Sequence, residues 1–572
     1  MTTSPAQPPV NPAIPDRQGQ NFYTSDEQLA AVLRLYLPPA VLDKLTPVFT
    51  RLGALAGGPL DELASISDKN PPTLSLRTRT GLNQQVIHKH PAYVEMERLA
   101  LSEFGMATVS HREDMFGVPG KLPPAVKYVL FYLFVQAEFG LCCPVSMTDS
   151  LTRTLKKFGA PQLVEKYLPR LTSLDFDELA QGAMFMTEQA AGSDIAATVT
   201  RAEAQPDGSW KLFGDKWFCS NPDADFAMVL ARSNTEQPGM KGVSLFLLPK
   251  TLDDGSANAY RIIRLKDKLG TRSMASGEIT LEGATAYLVG EEGRGFVQMA
   301  DMVNNSRLSN GVRAAGLMRR AVGEAEFIAA NRQAFGKKLA QMPLMQRQLD
   351  KLRVPAEQAR TMVFQTAQAL ARSDAGEPDA YALARILTPM IKFRACRDAR
   401  KVAGDAMEVR GGCGYIEEWS DPRILRDAHL GSIWEGTSNI VALDVIRATK
   451  REGSLPVLQA HLAGLLDGVS GHALLTSAYE QALRDGLNRA AALVATAARD
   501  GGDVLARQAA SALYHVTTAI AMAWEAARID SPERMRWSQL ALWHRVLPRD
   551  PLSPDGLPEH WQAAQPAAVA QG

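Results

Sequence analysis

The apolar positions of this chain change period twice. From about residue 25, Leu29, Val32, Leu33, Leu35 and Tyr36 line up at helical spacing, and Leu37-Pro38-Pro39 stops the run. Residues 127–138 are apolar nearly all round but too few to cross a bilayer, which predicts a buried helix. Near residue 182 the runs shorten. Residues 210–213, 216–219, 226–231, 243–248 and 278–281 read as strands, with Gly214-Asp215 as a turn between the first two. Their spacing predicts an antiparallel sandwich or barrel of roughly 100 residues. From about 296 the helical period returns. Leu349, Leu352, Ala356, Ala359, Val363, Ala367 and Leu370 form one long stripe, with Pro355 placed to kink it.

These shifts divide the chain into a flexible arm (1–24), a helical N-terminal domain (25–181), a β-domain (182–290), a helical bundle (291–452), an Ala-rich helical extension (453–550) and a mobile tail (551–572). The fold class is mainly α with a central β-domain. Helices, then strands, then helices is not the alternation of a doubly wound sheet.

Composition narrows the function classes. The 572 residues suffice for three or four domain-sized units. Lys plus Arg and Asp plus Glu are 62 each, so no global field draws the chain to nucleic acid or an anionic membrane. The five cysteines are odd in number and lack zinc-site spacing, and the histidines form no HExxH pattern. No metal site is therefore expected. GxSxG and P-loop motifs are absent. The N-terminal 20 residues have neither a signal-peptide core nor an Arg-rich amphipathic pattern, which makes the cytoplasm the expected location.

Five clusters carry candidate chemistry. In Gly431-Ser432-Ile433-Trp434-Glu435-Gly436-Thr437-Ser438-Asn439, one carboxylate stands beside an apolar pair. Lost hydration raises a carboxyl pKa, as a general base for a weakly acidic C–H requires; an element boundary at the surface has the same look. Met184 to Asp194 (MFMTEQAAGSD) combines a hydroxyl, a small-residue turn and Gly-Ser, and suits either close ligand approach or an ordinary turn. Lys216 to Asn221 (KWFCSN) offers aromatics that can wall a flat heterocycle or fill a sandwich core. In Asn331 to Gly336 (NRQAFG), Arg332 can fork onto a phosphate while Phe335 stacks on a base; Gly336 can equally cap a helix. Glu408 to Tyr415 (EVRGGCGY) is a glycine loop that lacks GxGxxG spacing and follows no strand.

In this order these clusters resemble the acyl-CoA dehydrogenase family. MTEQAAGSD, GDKWFCSN, KDKLG, LVGEEGRGF, RQAFGKKL, GGCGY and RDAHLGSIWEGTSNI carry the likeness from about residue 130 to 450. QNFYTSDEQL, LCCPVSMT, KDKLGTRSMAS and the C-terminal region resemble its AidB-like branch, associated with the adaptive response to DNA alkylation. The resemblance implies a helical N-domain, a β-barrel and a helical bundle, FAD held between barrel and bundle, and a dimer of dimers whose subunits complete each other's FAD sites.

It also implies roles by position. Met184 and Thr187 lie against the flavin, Gly192 and Ser193 near the FAD pyrophosphate and the pantetheine, and Phe218 and Ser220, with Cys219 between them, against the isoalloxazine. Arg332 and Phe335 hold the partner subunit's FAD, Glu408 and Gly412 belong to that glycine-loop contact, and Thr437 and Asn439 touch the adenosine side. Trp434 is the aromatic at the reacting centre, and Glu435 is the catalytic base. Some members carry the base just before an Arg-Leu pair; here Ser306 precedes Arg307-Leu308 and cannot serve. Two positions depart from the family pattern: Pro343 and Glu408 each replace a usual Gln. Pro343 also occurs in the AidB-like pattern, and Glu408 places a carboxylate near a pyrophosphate.

The implied activity is FAD-dependent dehydrogenation of an acyl-CoA or related thioester, with electron-transfer flavoprotein or oxygen as acceptor. The alternative is a DNA-protecting flavoprotein with weak dehydrogenase activity. From residue 451 onward about ten basic face about twelve acidic residues, so that region has no cationic surplus. Arg447, Arg534, Arg536, Arg545 and Arg549 remain as a local patch or as ion-pair partners.

Overall fold

The structure, a computed structural model, describes residues 13–554 and 556–563. Helices α1 (Glu27–Tyr36), α2 (Pro39–Ala56) and α3 (Pro59–Lys69) open the N-terminal domain. Asp26 caps α1 by accepting from the Leu29 N–H, and Leu37 leaves it in extended conformation before Pro38. A hairpin follows, β1 (Thr73–Arg77) and β2 (Asn83–His88), then α4 (Pro91–Arg98), α5 (Pro124–Phe134), α6 (Cys142–Phe158) and α7 (Pro161–Leu171). The apolar α5 is buried on all sides, and its one cation, Lys127, donates to Asp149 at 2.9 Å.

Three expectations are corrected here. Residues 13–24 are not a free arm: Arg17, Phe22 and Tyr23 are buried, and Phe22 N–H donates to the Gly53 carbonyl on α2. Residues 1–12 lie outside the described residues. The hairpin of β1 and β2 breaks the all-helical reading of this domain; its side chains are mostly exposed, so no apolar alternation announced it. Residues 551–563 are not free either: Trp561 is 4% exposed and packs on Tyr479 and Trp543. Residues 564–572 lie outside the described residues.

The central domain comprises β3 (Gly182–Phe185), β4 (Arg201–Ala204), β5 (Trp210–Ser220), β6 (Phe226–Arg232), β7 (Val243–Pro249), β8 (Tyr260–Leu265) and β9 (Ser276–Leu288). The order β6-β4-β5-β9-β7 closes on itself through β6–β7 pairing, so a barrel forms, with β3 added on β6 and β8 on β9. It is not wholly antiparallel, since β3 and β4 run parallel to β6. Gly214-Asp215 is not a turn: β5 runs straight through, with Gly214 at φ +133° and its Cα face against Thr200. Only glycine takes that backbone with a neighbour so close. Strands β6 and β7 are buried on both faces. Met228, Leu230, Leu245 and Leu247 join the helical core, whereas Ala227, Val229, Phe246 and Leu248 fill the barrel.

The bundle follows: α8 (Gly295–Asn331), a small hairpin of β10 (Gln333–Ala334) and β11 (Lys337–Lys338), α9 (Pro343–Asp374), α10 (Ala380–Arg410), α11 (Asp421–Leu430) and α12 (Ser438–Glu452). Helix α9 is one element through Pro355, with the predicted stripe buried from Leu349 to Ala367. The extension is α13 (Ser454–Asp467), α14 (Ser477–Ala497), α15 (Ala506–Arg528) and α16 (Pro532–Arg545). It docks by polar contacts as well as apolar ones: Arg534 on α16 bonds Glu357 on α9 (2.8 Å) and Glu525 on α15, and Tyr36 on α1 donates to Glu525 (2.7 Å). No helix among the described residues is long and apolar enough to cross a membrane.

Candidate active site

Glu435 sits in the short loop between α11 and α12, in the left-handed region at φ +55°, followed by Gly436 at φ +100°. That conformation costs a non-glycine residue about 1 kcal/mol or more. Two cations hold it. Arg307 on α8 donates from Nε to the Glu435 carbonyl at 3.0 Å, and Lys392 on α10 donates to the Gly436 carbonyl at 2.6 Å. Arg307 is itself fixed by Asp444 on α12 at 2.7 Å. The loop is thus pinned by the two helices it crosses.

Burial pushes the Glu435 carboxyl above the usual carboxylate range, against the opposing pull of Arg307, Lys392, Arg313 and the Ser306 hydroxyl. The same interior lowers Lys392 to about 8, again chiefly by burial. Trp434 stacks on Phe139, which follows α5, at 5.9 Å and 18°, and the Arg313 guanidinium lies 4.7 Å from its ring centre. The indole Nε1 is buried without a hydrogen-bond partner. Together these residues make a half-buried, partly desolvated carboxylate beside an aromatic wall, an environment suited to a base for carbon acids.

The barrel supplies a second wall. The Thr187 carbonyl accepts from Trp217 N–H at 2.8 Å, which ties the end of β3 to β5. Phe218 is 58% exposed, a large aromatic facing outward from a strand, and Met184, Thr187 and Ser220 are half-buried. Gly192 and Ser193 are exposed, and a Cβ added to Gly192 would meet nothing within 4 Å. Cys219 is a correction. Strand alternation turns it into the barrel core, fully buried among Ala and Ile side chains, so it cannot touch a ligand on the face that carries Phe218.

Thr437 begins α12 without using its side chain as a cap, which leaves the first N–H groups of that helix open. Arg397 donates to Ser438 and Arg507 to Asn439, each at 3.3 Å. Burial, then the crowding of Arg507, Arg394 and Arg400, lowers the Arg397 pKa. This cationic cluster was not legible in the sequence, because its members come from α10 and α15.

The remaining predicted residues form a separate group. Arg332 donates to the Arg410 carbonyl at 3.1 Å, which sets it against the glycine loop, where Gly412 is open to close approach. Glu408 is exposed on the last turn of α10. Phe335 is 97% exposed at the tip of the β10–β11 hairpin, and Tyr415 is 81% exposed. At 1.5 Å per residue, Gly411 lies about 28 Å along α10 from Lys392, and Arg332 lies about 38 Å along α8 from Arg307. One chain therefore holds these two groups of candidate residues far apart.

The residues present fit FAD: an outward aromatic and hydroxyls for a flat ring, open glycine backbone, and a cationic helix N-terminus for a diphosphate. Comparison with known proteins agrees with this chemistry. The family model "Acyl-CoA dehydrogenase, C-terminal domain" matches residues 293–450, and "Acyl-CoA dehydrogenase, middle domain" matches 183–284. The chain belongs to the acyl-CoA dehydrogenase family of FAD-dependent oxidoreductases. Within it the likeness is to the AidB branch. The "Adaptive response protein AidB N-terminal domain" model matches residues 13–178. The chain is 34% identical over 444 residues to "Putative acyl-CoA dehydrogenase AidB" of Escherichia coli strain K12, covering 76% of this chain and 79% of that one. It is 30% identical over 437 residues to "Acyl-CoA dehydrogenase family member 11" of Caenorhabditis elegans, covering 75% and 70%. The crystal structure of Caenorhabditis elegans ACDH-11 in complex with C11-CoA matches with a TM-score of 0.86 at 26% identity, over 95% of this chain and 93% of that one.

Sequence reasoning missed Phe139, Arg313 and Lys392 as neighbours of the base. A Lys within the apolar run Met390-Ile391-Lys392-Phe393 and an Arg within Gly311-Val312-Arg313-Ala314-Ala315 are the signals that mark them: a long cation among small or apolar neighbours on a buried helix.

Proposed function

We propose that this protein dehydrogenates an acyl-CoA or related thioester, with Glu435 removing the α-proton. The observation that carries this reading is the half-buried Glu435, its carboxyl raised in pKa by desolvation yet held among three cations and next to Trp434. Burial makes the carboxylate a stronger base toward carbon. The surrounding positive charge keeps enough of it ionised to act. Trp434 and Phe139 exclude water from that side. The Glu435 backbone N–H is a candidate donor to the thioester oxygen, where negative charge develops as the proton leaves. FAD, when bound, supplies the acceptor for the hydride that leaves the β-carbon. Phe218, Ser220, Thr187 and Met184 would wall its ring, and Thr437 and Asn439 would face its adenosine side.

The half-site of Arg332, Phe335, Glu408 and Gly412 is too far from Glu435 for one chain to complete one cofactor site. A second copy supplying it, within a homotetramer, fits both the distance and the exposure of Phe335. Electron-transfer flavoprotein or oxygen would reoxidise the flavin of this cytoplasmic enzyme. The test is Glu435→Gln. The variant should bind FAD and stay yellow, yet lose the bleaching that an acyl-CoA panel produces anaerobically in the wild type. Bleaching at the wild-type rate would remove Glu435 from the mechanism.

A second reading, DNA protection with weak dehydrogenase activity, draws support from the cluster of Arg394, Arg397, Arg400 and Arg507 on one face. The patch considered from sequence contributes less: Arg534 is buried in its ion pairs, and Arg536 pairs with Asp350 at 3.0 Å. Duplex affinity that falls steeply with salt supports this reading, and no binding at moderate salt rejects it.

A further inference from the structure

The buried arginines of the bundle have carboxylate partners, with one exception. Arg307 has Asp444, Arg320 has Asp61 and Glu324, Arg360 has Asp26 and Glu357, and Arg410 has Glu324 and Asp421. Arg313 is 1% exposed and has none among the described residues. Its Nε reaches the Ser309 carbonyl one turn back at 3.4 Å, and its Nη1 is buried without any hydrogen-bond partner. The guanidinium lies beside the stacked Trp434 and Phe139 rings, 4.7 and 5.4 Å from their centres, with the Cys143 thiol next to it.

Position and charge both point toward the substrate. Arg313 stands seven residues after Ser306, so both fall on one face of α8, and the bond to Ser309 shows the side chain leaning back toward Ser306 and Glu435. Glu435 is the one carboxylate shared by Arg307, Lys392 and Arg313, and Arg307 already has Asp444. Beyond the Glu435 carboxylate that three cations share, no anion among the described residues stands within ion-pair distance of Arg313. A buried cation without a counterion is costly, and a ligand anion at Nη1 would remove that cost. A plain alkyl chain would instead press methylenes against an unpaired guanidinium.

We propose that Arg313 is a specificity-determining residue that receives a carboxylate at the far end of a short acyl chain, so that the preferred thioester is the mono-CoA ester of a dicarboxylic acid. This rests on the reading of Glu435 as the base. It predicts which acyl groups the enzyme selects rather than how the proton leaves.

The test uses the FAD-loaded enzyme with glutaryl- and adipoyl-CoA against butanoyl- and hexanoyl-CoA, reading dissociation constants by calorimetry and flavin bleaching by stopped flow. The wild type should favour the ω-carboxy esters by about 100-fold, mostly in affinity. Arg313→Met, neutral and of similar length, should abolish or reverse that preference, and Arg313→Lys should restore part of it. The wild-type comparison stands even if a variant fails to fold. Equal or better use of the alkyl esters by the wild type overturns the inference and leaves the base assignment intact. So does a Met substitution that weakens both ester classes alike, which would place Arg313 at the thioester oxygen. If no ester of either class binds or bleaches, the base assignment fails and the inference falls with it.

Discussion

A base for carbon must be poorly hydrated and still ionised, and at the residue scale Glu435 meets both demands. Burial raises its pKa while Arg307, Lys392 and Arg313 restrain the rise. The rate of substrate-dependent flavin reduction should therefore increase with pH through a value above the ordinary carboxylate range. Lys392→Met removes one restraining cation, so the rise should move to higher pH; a pH–rate profile of both proteins checks this. Asp427 gives a stability counterpart. Burial is the main cause that raises its carboxyl from 3.8 to about 7, with Thr271 N–H opposing. A raised folded pKa favours the folded state fully below about pH 4, and that contribution is lost as pH climbs through about 7. Asp427→Asn does not titrate, so its melting temperature should gain on the wild type between pH 5 and 8. The gain corresponds to at most about 4 kcal/mol at pH 8. Glu435 stood out as a candidate by its apolar neighbours, and the family resemblance singled it out. The cations that tune it were not, because they lie over 40 residues away in sequence on α8 and α10.

At the scale of elements, close helix packing sets the site's dimensions. Gly316 on α8 faces the backbone of α5: an added Cβ would lie 2.6 Å from the Tyr132 carbonyl and closer still to Val135. Gly316→Leu should wedge α8 from α5 and cost about 3 kcal/mol in denaturant unfolding, since neither backbone can yield without dragging Phe139 off Trp434. Strands were predicted where both faces are apolar, as in β6 and β7, and missed where polar residues alternate irregularly, as in β1, β2 and β8. The turn assigned to Gly214-Asp215 failed for a physical reason. Glycine can continue a strand as readily as turn a chain, and only the in-register pairing of Gly214 and Asp215 with Leu281 and Thr280 on β9 decides between them.

At the scale of the whole molecule, the extension is bound to the bundle by buried charge. Arg534→Met should leave Glu525 short of its partner, destabilise the protein by about 3–5 kcal/mol and raise hydrogen exchange in α15 and α16 first. Phe335→Asp should shift the assembly to a smaller species by light scattering and lower its FAD content, as the exposed hairpin is the proposed bridge to a neighbour's cofactor. The domain order, the barrel within two helical regions and the candidacy of Glu435 were legible in the sequence, because periodicity and local composition report on burial along a single element, and the family resemblance gave that carboxylate its proposed role. What only the tertiary structure decided was which charges meet. Cys219 turned inward because the barrel closed. Arg313 was left without an ion pair of its own because α8 meets the Trp434 loop, and Arg332 was parted from Glu435 because α8 and α10 are long. Such outcomes depend on contacts between distant segments, and spacing along one chain carries no record of them.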